Sequence, residues 1–335
     1  LSEAAYRAPW WLPGGHLQTI WPLASKARLP AYRRECWETP DGDFIELDWL
    51  ALPERTAATS SPARAPLLVL FHGLEGSSRS HYSRSLMQAA GALGWRGVVP
   101  HFRGCGGTPN RLARAYHSGD SEELDWILRR LQQRAADAPV YATGVSLGGN
   151  ALLKWLGERG TAARGVVNAA AALCAPLDLT VSGCALGKGF NRIYSSHFLT
   201  TLRRKALAKC ERHPGHFDAG RIARARSLAE FDDAYTAPAH GFAGVEDYWR
   251  RASARPWLGR IEVPTLVLNA ANDPFVPVAA WPDPRALAQA VRFECPGEGG
   301  HVGFLGGAWP GDQGWLAARV LAHFVALTPR IDAAL

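Results

Sequence analysis

Eleven consecutive residues, Val140-Tyr141-Ala142-Thr143-Gly144-Val145-Ser146-Leu147-Gly148-Gly149-Asn150, restrict what this chain can fold into more than any other stretch. Pro139 and the β-prone Val140 and Tyr141 open a short apolar strand pattern. Ala151, Leu152, Leu153, Trp155 and Leu156 continue beyond it with helical spacing. Between them the chain must reverse sharply at Ser146. Glycines two positions before and two after allow this, because neither Gly144 nor Gly148 carries a Cβ to collide across the turn. A serine hydroxyl is a weak nucleophile at neutral pH and gains reactivity only when held clear of the backbone beside a base. The turn predicts Ser146 at that apex, as a nucleophile.

The surrounding chain alternates between strand and helix. Pro66 to Phe71 reads as a buried strand that ends in His72-Gly73-Leu74-Glu75-Gly76, a glycine-rich turn whose backbone N–H groups can point into a site. The N–H groups of Leu74 and Leu147 are the expected oxyanion hole. Arg96 to Phe102 is a further strand. Leu124, Ile127, Leu128 and Leu131 mark an amphipathic helix with acids in its first turn and arginines near its end. Gly165 to Cys174 is the strand after the serine turn, and Val263 to Leu268 and Ala290 to Cys295 are two later ones. Trp315 to Leu327 closes the chain as an amphipathic helix. Such alternation predicts a mostly parallel sheet covered on both faces.

Elsewhere the rhythm changes. Arg33 to Trp37 and Phe44 to Leu50 read as a hairpin about the Asp41-Gly42 turn. Leu52 to Ala65, rich in Ala, Ser, Thr and Pro, reads as a loop. From 177 to 257 the strand patterns stop and basic helical stretches, Leu199 to Cys210 and Arg221 to Phe231, are interleaved with aromatics. This region reads as a helical cap inserted into the sheet domain. The expected organisation is an N-terminal aromatic arm over 1–32, the first part of the core over 33–176, the cap over 177–257, and the second part of the core over 258–335. The arm, with Trp10-Trp11 and Trp21, shows no clean helical or strand period. It is expected to pack on the core, with a lid or lipid contact as the alternative.

A nucleophilic serine needs a base, and the base needs a carboxylate to fix its tautomer and steady the imidazolium. Asp273 follows one late strand and His301 the next. Carboxyl ends of parallel strands share one edge of the sheet, so both loops can converge on Ser146. Asp178, Asp120 and Glu298 are rival carboxylates, with Asp178 first among them.

Composition bounds the partners. A chain of 335 residues with 47% hydrophobic residues can build a large core. Its net charge of +7 comes from scattered arginines with one local cluster, Arg203, Arg204 and Lys205, rather than the basic stripe with interleaved aromatics that nucleic-acid binding requires. No run approaches the ~20 apolar residues of a membrane span. Nor does a charged segment followed by an apolar one mark a secretory leader. The six cysteines form no CxxC pair and no zinc spacing, which suggests reduced thiols in a cytoplasmic protein. His213 and His216 flank Pro-Gly and read as a polar loop rather than a metal site.

The blocks His16-Leu17-Gln18-Thr19, His72-Gly-Leu-Glu-Gly76, His101-Phe-Arg-Gly-Cys105, Tyr116-His-Ser-Gly119, Gly144 to Asn150 and Gly299-Gly-His-Val-Gly-Phe304 together resemble the YheT-like branch of the α/β hydrolases, bacterial esterases, over nearly the whole chain. The resemblance implies an α/β-hydrolase fold and carboxylic-ester hydrolysis through Ser146, Asp273 and His301. It implies no metal or organic cofactor. Eukaryotic relatives of this branch include phospholipid-acting enzymes, so the expected small-molecule ester substrate extends to lipids. Asn272 stands where a second acid beside the relay aspartate is often found. A lipase, thioesterase or acyltransferase using the same triad is the first alternative, and a hydrolase fold kept for binding alone is the second.

Overall fold

The computed structural model describes residues 5–24, 28–51 and 64–328. Most of the expected loop between Leu52 and Ala65 therefore lies outside the described residues. Among the described residues eight strands form one sheet in the order β1-β2-β4-β3-β5-β6-β7-β8. The antiparallel pair β1 (Tyr32–Glu38) and β2 (Phe44–Leu50) is the expected hairpin. The remaining six, β3 (Leu67–Phe71), β4 (Arg96–Pro100), β5 (Val140–Val145), β6 (Ala169–Leu173), β7 (Thr265–Leu268) and β8 (Val291–Glu294), run parallel.

β3, β5 and β6 are buried along their whole length, as continuous apolar runs require when both faces of a sheet are covered. Alternation along β3 divides the core in two. Leu67, Val69 and Phe71 pack with α3 (Ser121–Ala135) and α4 (Leu147–Arg159). Leu68 and Leu70 pack on the other face with α2 (His81–Ala92) and the C-terminal helix.

Between β6 and β7 no strand intervenes. The chain passes through α5 (Leu179–Leu186), α6 (Asn191–Arg212), α7 (Ala219–Arg224), α8 (Leu228–Phe231), a single π turn (Asp232–Thr236), α9 (Ala237–Ala239) and α10 (Val245–Ala252), and returns to the sheet. The C-terminal helix is α11 (Gly314–Leu327). The stretch read as one helix over Arg221 to Phe231 is two. Ser227 breaks it, because its hydroxyl accepts the Glu230 N–H and starts α8 anew, just as Asp218 starts α7 by accepting from Arg221. Asn150 ties this region to the core. Its amide donates to the Ser118 and Ala252 carbonyls, both at 2.8 Å, and accepts from the Ala254 N–H at 2.9 Å.

The arm contains one element that its apolar pattern does not predict, α1 (Gly15–Ile20). It buries Gln18 and Thr19 and exposes Leu17 and Ile20, the reverse of an ordinary amphipathic helix. Among the described residues no helix is long and apolar enough to cross a membrane.

Candidate active site

The sheet places the site at its carboxyl edge. Strand register aligns Phe71 with Gly144, Val145 with Leu173, and Leu173 with Leu268, so the loops after β3, β5, β6 and β7 leave side by side. Strand order reverses direction between β3 and β5, the kind of point where open α/β sheets leave a crevice.

Ser146 sits there at φ 52° and ψ −118°, a left-handed conformation that costs a non-glycine residue energy. The surroundings hold it in place. Its N–H donates to the Leu173 carbonyl at 2.8 Å, and its own carbonyl accepts from Asn150 at 3.0 Å. Both neighbouring glycines are sterically required, since a Cβ on Gly144 would overlap the Gly148 backbone, and one on Gly148 would overlap the Phe71 carbonyl.

His301 Nε2 lies 3.0 Å from Ser146 Oγ, and His301 Nδ1 lies 2.9 Å from Asp273 Oδ2. The imidazole therefore bridges a hydroxyl and a carboxylate. Asp273 is fixed by its second oxygen, which accepts the N–H groups of Phe275 at 2.8 Å and Val276 at 3.2 Å. The Phe275 ring packs against the imidazole with centroids 4.3 Å apart. Asp178, the first rival carboxylate, caps α5 and pairs with Arg255 at 3.3 Å. Asp120 pairs with Arg114, and Glu298 accepts from Gln18. None of the three is bonded to His301.

The loop carrying His301 is held from the N-terminal arm. Thr19 Oγ1 accepts the His301 N–H at 2.8 Å. Gln18 Oε1 accepts from the Gly299 N–H at 2.8 Å and from the Asn272 amide at 2.9 Å. Asn272 in turn accepts the Gly300 N–H at 2.9 Å, so an amide stands here as a two-way link that a carboxylate would not supply.

The turn after β3 is braced by two tyrosines. The Gly73 N–H donates to the Tyr82 hydroxyl at 2.9 Å and the Glu75 N–H to the Tyr116 hydroxyl at 3.0 Å. Burial raises both phenols above their ordinary value, so they stay protonated. Leu74, between them, lines the cavity with Ser146 and Leu147. His72 fixes the turn from beneath. Its Nε2 accepts the Phe102 N–H at 3.1 Å, which leaves the proton on Nδ1 to donate to the Gly73 carbonyl at 2.8 Å. Burial, with His101 close by, pushes this imidazole down to about 3, so it is a neutral strut. These bracing residues lie in or near the sequence blocks, but no local pattern marks a side chain that bonds backbone far along the chain.

A cavity of about 910 Å³ opens over Ser146 and His301, lined by the loops at the sheet edge and by residues of the helices between β6 and β7, including Tyr194, Phe198, Leu202 and Phe231. Helix α6 reaches the turn after β3 through Lys205, which pairs with Glu75 at 2.9 Å.

Two groups of side chains among the described residues bring metal-ligating atoms within 4.8 Å of one another. In the first, Cys174 lies beside Asp273 and His301, but burial raises its thiol well above the ordinary value and both imidazole nitrogens are already engaged. In the second, His117, Asp120 and His240, the carboxylate is held by Arg114 at 2.7 Å and His117 Nδ1 accepts the Gly119 N–H. His213 and His216 have ring centroids 5.8 Å apart, and His213 bonds the Arg111 carbonyl. All six cysteines are free thiols.

A family model described as the alpha/beta hydrolase fold matches residues 66–308. The chain is 41% identical over 313 residues to YheT of Escherichia coli (strain K12), a protein named provisionally as an esterase, with 91% of this chain and 88% of that one covered. It is 30% identical over 328 residues to phospholipase ABHD3 of Homo sapiens, covering 97% and 79%. Among solved structures, the esterase Pf2001 of Pyrococcus furiosus superposes with a TM-score of 0.55 at 14% identity, over 89% of this chain and 93% of that one. A bacterial membrane phospholipase A gives 0.52 at 16% identity, over 93% and 89%. At such identities these two speak for the fold alone.

Proposed function

The chain belongs to the YheT-like branch of the α/β-hydrolase family, and from that membership we propose that it is a serine hydrolase cleaving carboxylic esters through a covalent acyl-enzyme. One observation carries the reading: a single imidazole within hydrogen-bond reach of both a strained serine, at 3.0 Å, and a buried aspartate, at 2.9 Å. Ser146 Oγ attacks the ester carbonyl while His301 Nε2 takes its proton. Proton transfer by a positioned group of this kind contributes roughly 10²–10⁴-fold in rate. Asp273 accepts from the opposite nitrogen and steadies the imidazolium. The N–H groups of Leu74 and Leu147 receive the negative charge on the carbonyl oxygen, each such donor contributing about 10²–10³-fold. The alcohol leaves with the proton held by His301, and water activated by the same imidazole releases the acid.

The substrate reading is a small ester with an apolar acyl group. A volume near 910 Å³ with aromatic walls accommodates chains longer than acetyl. The phospholipase name of one relative favours a lipid ester as the second reading. Hydrolysis of p-nitrophenyl esters from acetate to palmitate, beside acyl-CoA thioesters, separates esterase, lipase and thioesterase.

The decisive experiment is Ser146→Ala. It should abolish both labelling by a fluorophosphonate probe and ester turnover while leaving the thermal transition in place. Undiminished labelling of the variant would end the assignment, and a wild-type protein that neither labels nor turns over any ester would be a binding protein on a hydrolase fold.

A further inference from the structure

We propose that the mouth of the cavity, where α1 and the start of α6 meet, is a docking surface for an anionic lipid interface. Docking stands on the exposed face itself. Only its use, delivery of a lipid ester to Ser146, rests on the hydrolase reading.

The face begins in the inverted helix. Because α1 spends Gln18 and Thr19 on the His301 loop, its apolar side chains are left outside: Leu17 is 49% exposed, Ile20 39%, and Leu23 just beyond it 71%. On the cap, Phe190 and Ile193 are exposed by 50% and 59%. The two segments are joined. His16 packs on the Phe190 ring at 4.6 Å and bonds the Tyr194 hydroxyl at 3.2 Å. Ile20, Leu23 and Ile193 also line the cavity that leads to Ser146, so the patch and the cavity mouth are one surface. Large apolar side chains gathered in this way on a water-facing surface usually mark an interaction site.

Charge selects the occupant. Neither 5–24 nor 179–210 contains a single Asp or Glu, whereas the second segment carries six cations, of which Lys209 is buried against the Asn110 and Leu112 carbonyls and Lys205 is paired with Glu75, leaving Lys188, Arg192, Arg203 and Arg204. Lys188 and Arg192 are exposed and flank Phe190 and Ile193. Aliphatic and aromatic side chains flanked by two exposed cations, on segments that carry no acid of their own, match the acyl boundary and headgroups of an anionic lipid surface. A closed α/β core seated there would present the cavity mouth to the lipid without any segment crossing it.

The test uses the full chain carrying Ser146→Ala, so that the vesicles survive, in sedimentation with phosphatidylcholine vesicles with and without about 30% phosphatidylglycerol. Binding should require the anionic lipid and weaken at high salt. Leu17→Ser with Phe190→Ser, and separately Lys188→Glu with Arg192→Glu, should each lower the partition by about tenfold or more. None of these four side chains lines the cavity. The same pairs placed in the wild-type background should therefore hydrolyse a water-soluble short ester at the unaltered rate. Absence of partition, or partition untouched by both pairs, overturns the proposal. So does a dimer in solution that the Leu17 and Phe190 changes dissolve, since that would give the face to a second copy. Vesicle binding by a protein whose wild type hydrolyses nothing would leave the docking standing and remove the hydrolase reading instead.

Discussion

Gln18 accepts a hydrogen bond from the main-chain N–H of Gly299 at 2.8 Å across 281 positions of sequence. The same side chain takes the Asn272 amide and donates to the Leu12 carbonyl at 3.0 Å and to Glu298 at 3.2 Å, so its amide is in use at both ends. Gln18 is fully buried. The N-terminal arm thus belongs to the site, because it sets the height of the loop from which His301 reaches Ser146.

Gln18→Ala should therefore lower kcat for a p-nitrophenyl ester by about 10–100-fold with little change in KM, because a shift near 1 Å in the imidazole is felt in the chemical step. The cavity over Ser146, which Gln18 does not line, is untouched. Left without partners, the Gly299 N–H and the Asn272 amide should cost stability of about 1–3 kcal/mol each. Gln18→Glu keeps an acceptor for both but turns the donor to Leu12 and Glu298 into a carboxylate oxygen facing a carbonyl and a second carboxylate, so it should restore neither the stability nor the full rate. A KM effect with unaltered kcat would instead place Gln18 in substrate binding.

Close packing of α1 against this loop gives a second, purely steric expectation. A Cβ on Gly15 would overlap the Asn272 carbonyl oxygen, which is backbone and cannot swing aside, whereas a Cβ on Gly14 meets nothing within 4 Å. Gly15→Ala should cost roughly 2 kcal/mol or more and most of the activity. Gly14→Ala, strained only by its φ of 78°, should cost about 1 kcal/mol and keep the activity. Chemical denaturation and initial rates on the two variants check the contrast. Equal effects would mean that α1 adjusts.

What the sequence discloses and what it hides follow the range of the interactions. The turn at Ser146 is legible because its glycines, strand and helix lie within a few residues and each is sterically required. Asp273 and His301 are legible as neighbours because parallel strands end on one edge, so counting strands suffices. Helix α1 is not, since apolar periodicity assumes that apolar residues face inward, and here Gln18 and Thr19 take that side to bond a distant loop. Tyr82 and Tyr116 escape for a related reason. A phenol that accepts one backbone N–H leaves no mark beyond its own letter. The blocks around Gln18 and Tyr116 flagged these segments through family resemblance without giving their roles.

Stability should fall as the pH drops below neutrality. Burial pushes His72 and His240 down to about 3, and His81 and His323 to about 4, so all four stay neutral in the folded protein at pH 5. Unfolded, each takes up a proton below about pH 6.5, and stability declines wherever the unfolded chain binds more protons. Burial opposes this at two carboxyls, Asp232, raised to about 6, and Glu123, also raised. These hold protons in the fold that the unfolded chain releases, so their contribution improves over the same interval. With these four imidazoles, and His117 also lowered by burial, against two carboxyls, the net sign is a loss from about pH 6.5 to 4.5. Urea midpoints across that interval measure it, and a rising midpoint would show that the carboxyls dominate.

Asp273→Asn isolates the role of the carboxylate with little disturbance of the fold. Oδ1 of Asp273 accepts two backbone N–H groups, from Phe275 and Val276, so an asparagine must place its amide oxygen there and aim its NH₂ at His301. Facing that donor, His301 Nδ1 has to accept, and the ring proton moves to Nε2. The nitrogen 3.0 Å from Ser146 Oγ then carries a hydrogen and can no longer take one. The expected result is a fall in kcat on the order of 10³–10⁴-fold at neutral pH, with slow fluorophosphonate labelling and a nearly unchanged thermal transition. Asp273→Ala, which imposes no tautomer, should be less impaired per proton transferred yet less stable, since two backbone donors lose their acceptor. Retention of activity within about tenfold of wild type in the asparagine variant would mean that another group orients the imidazole.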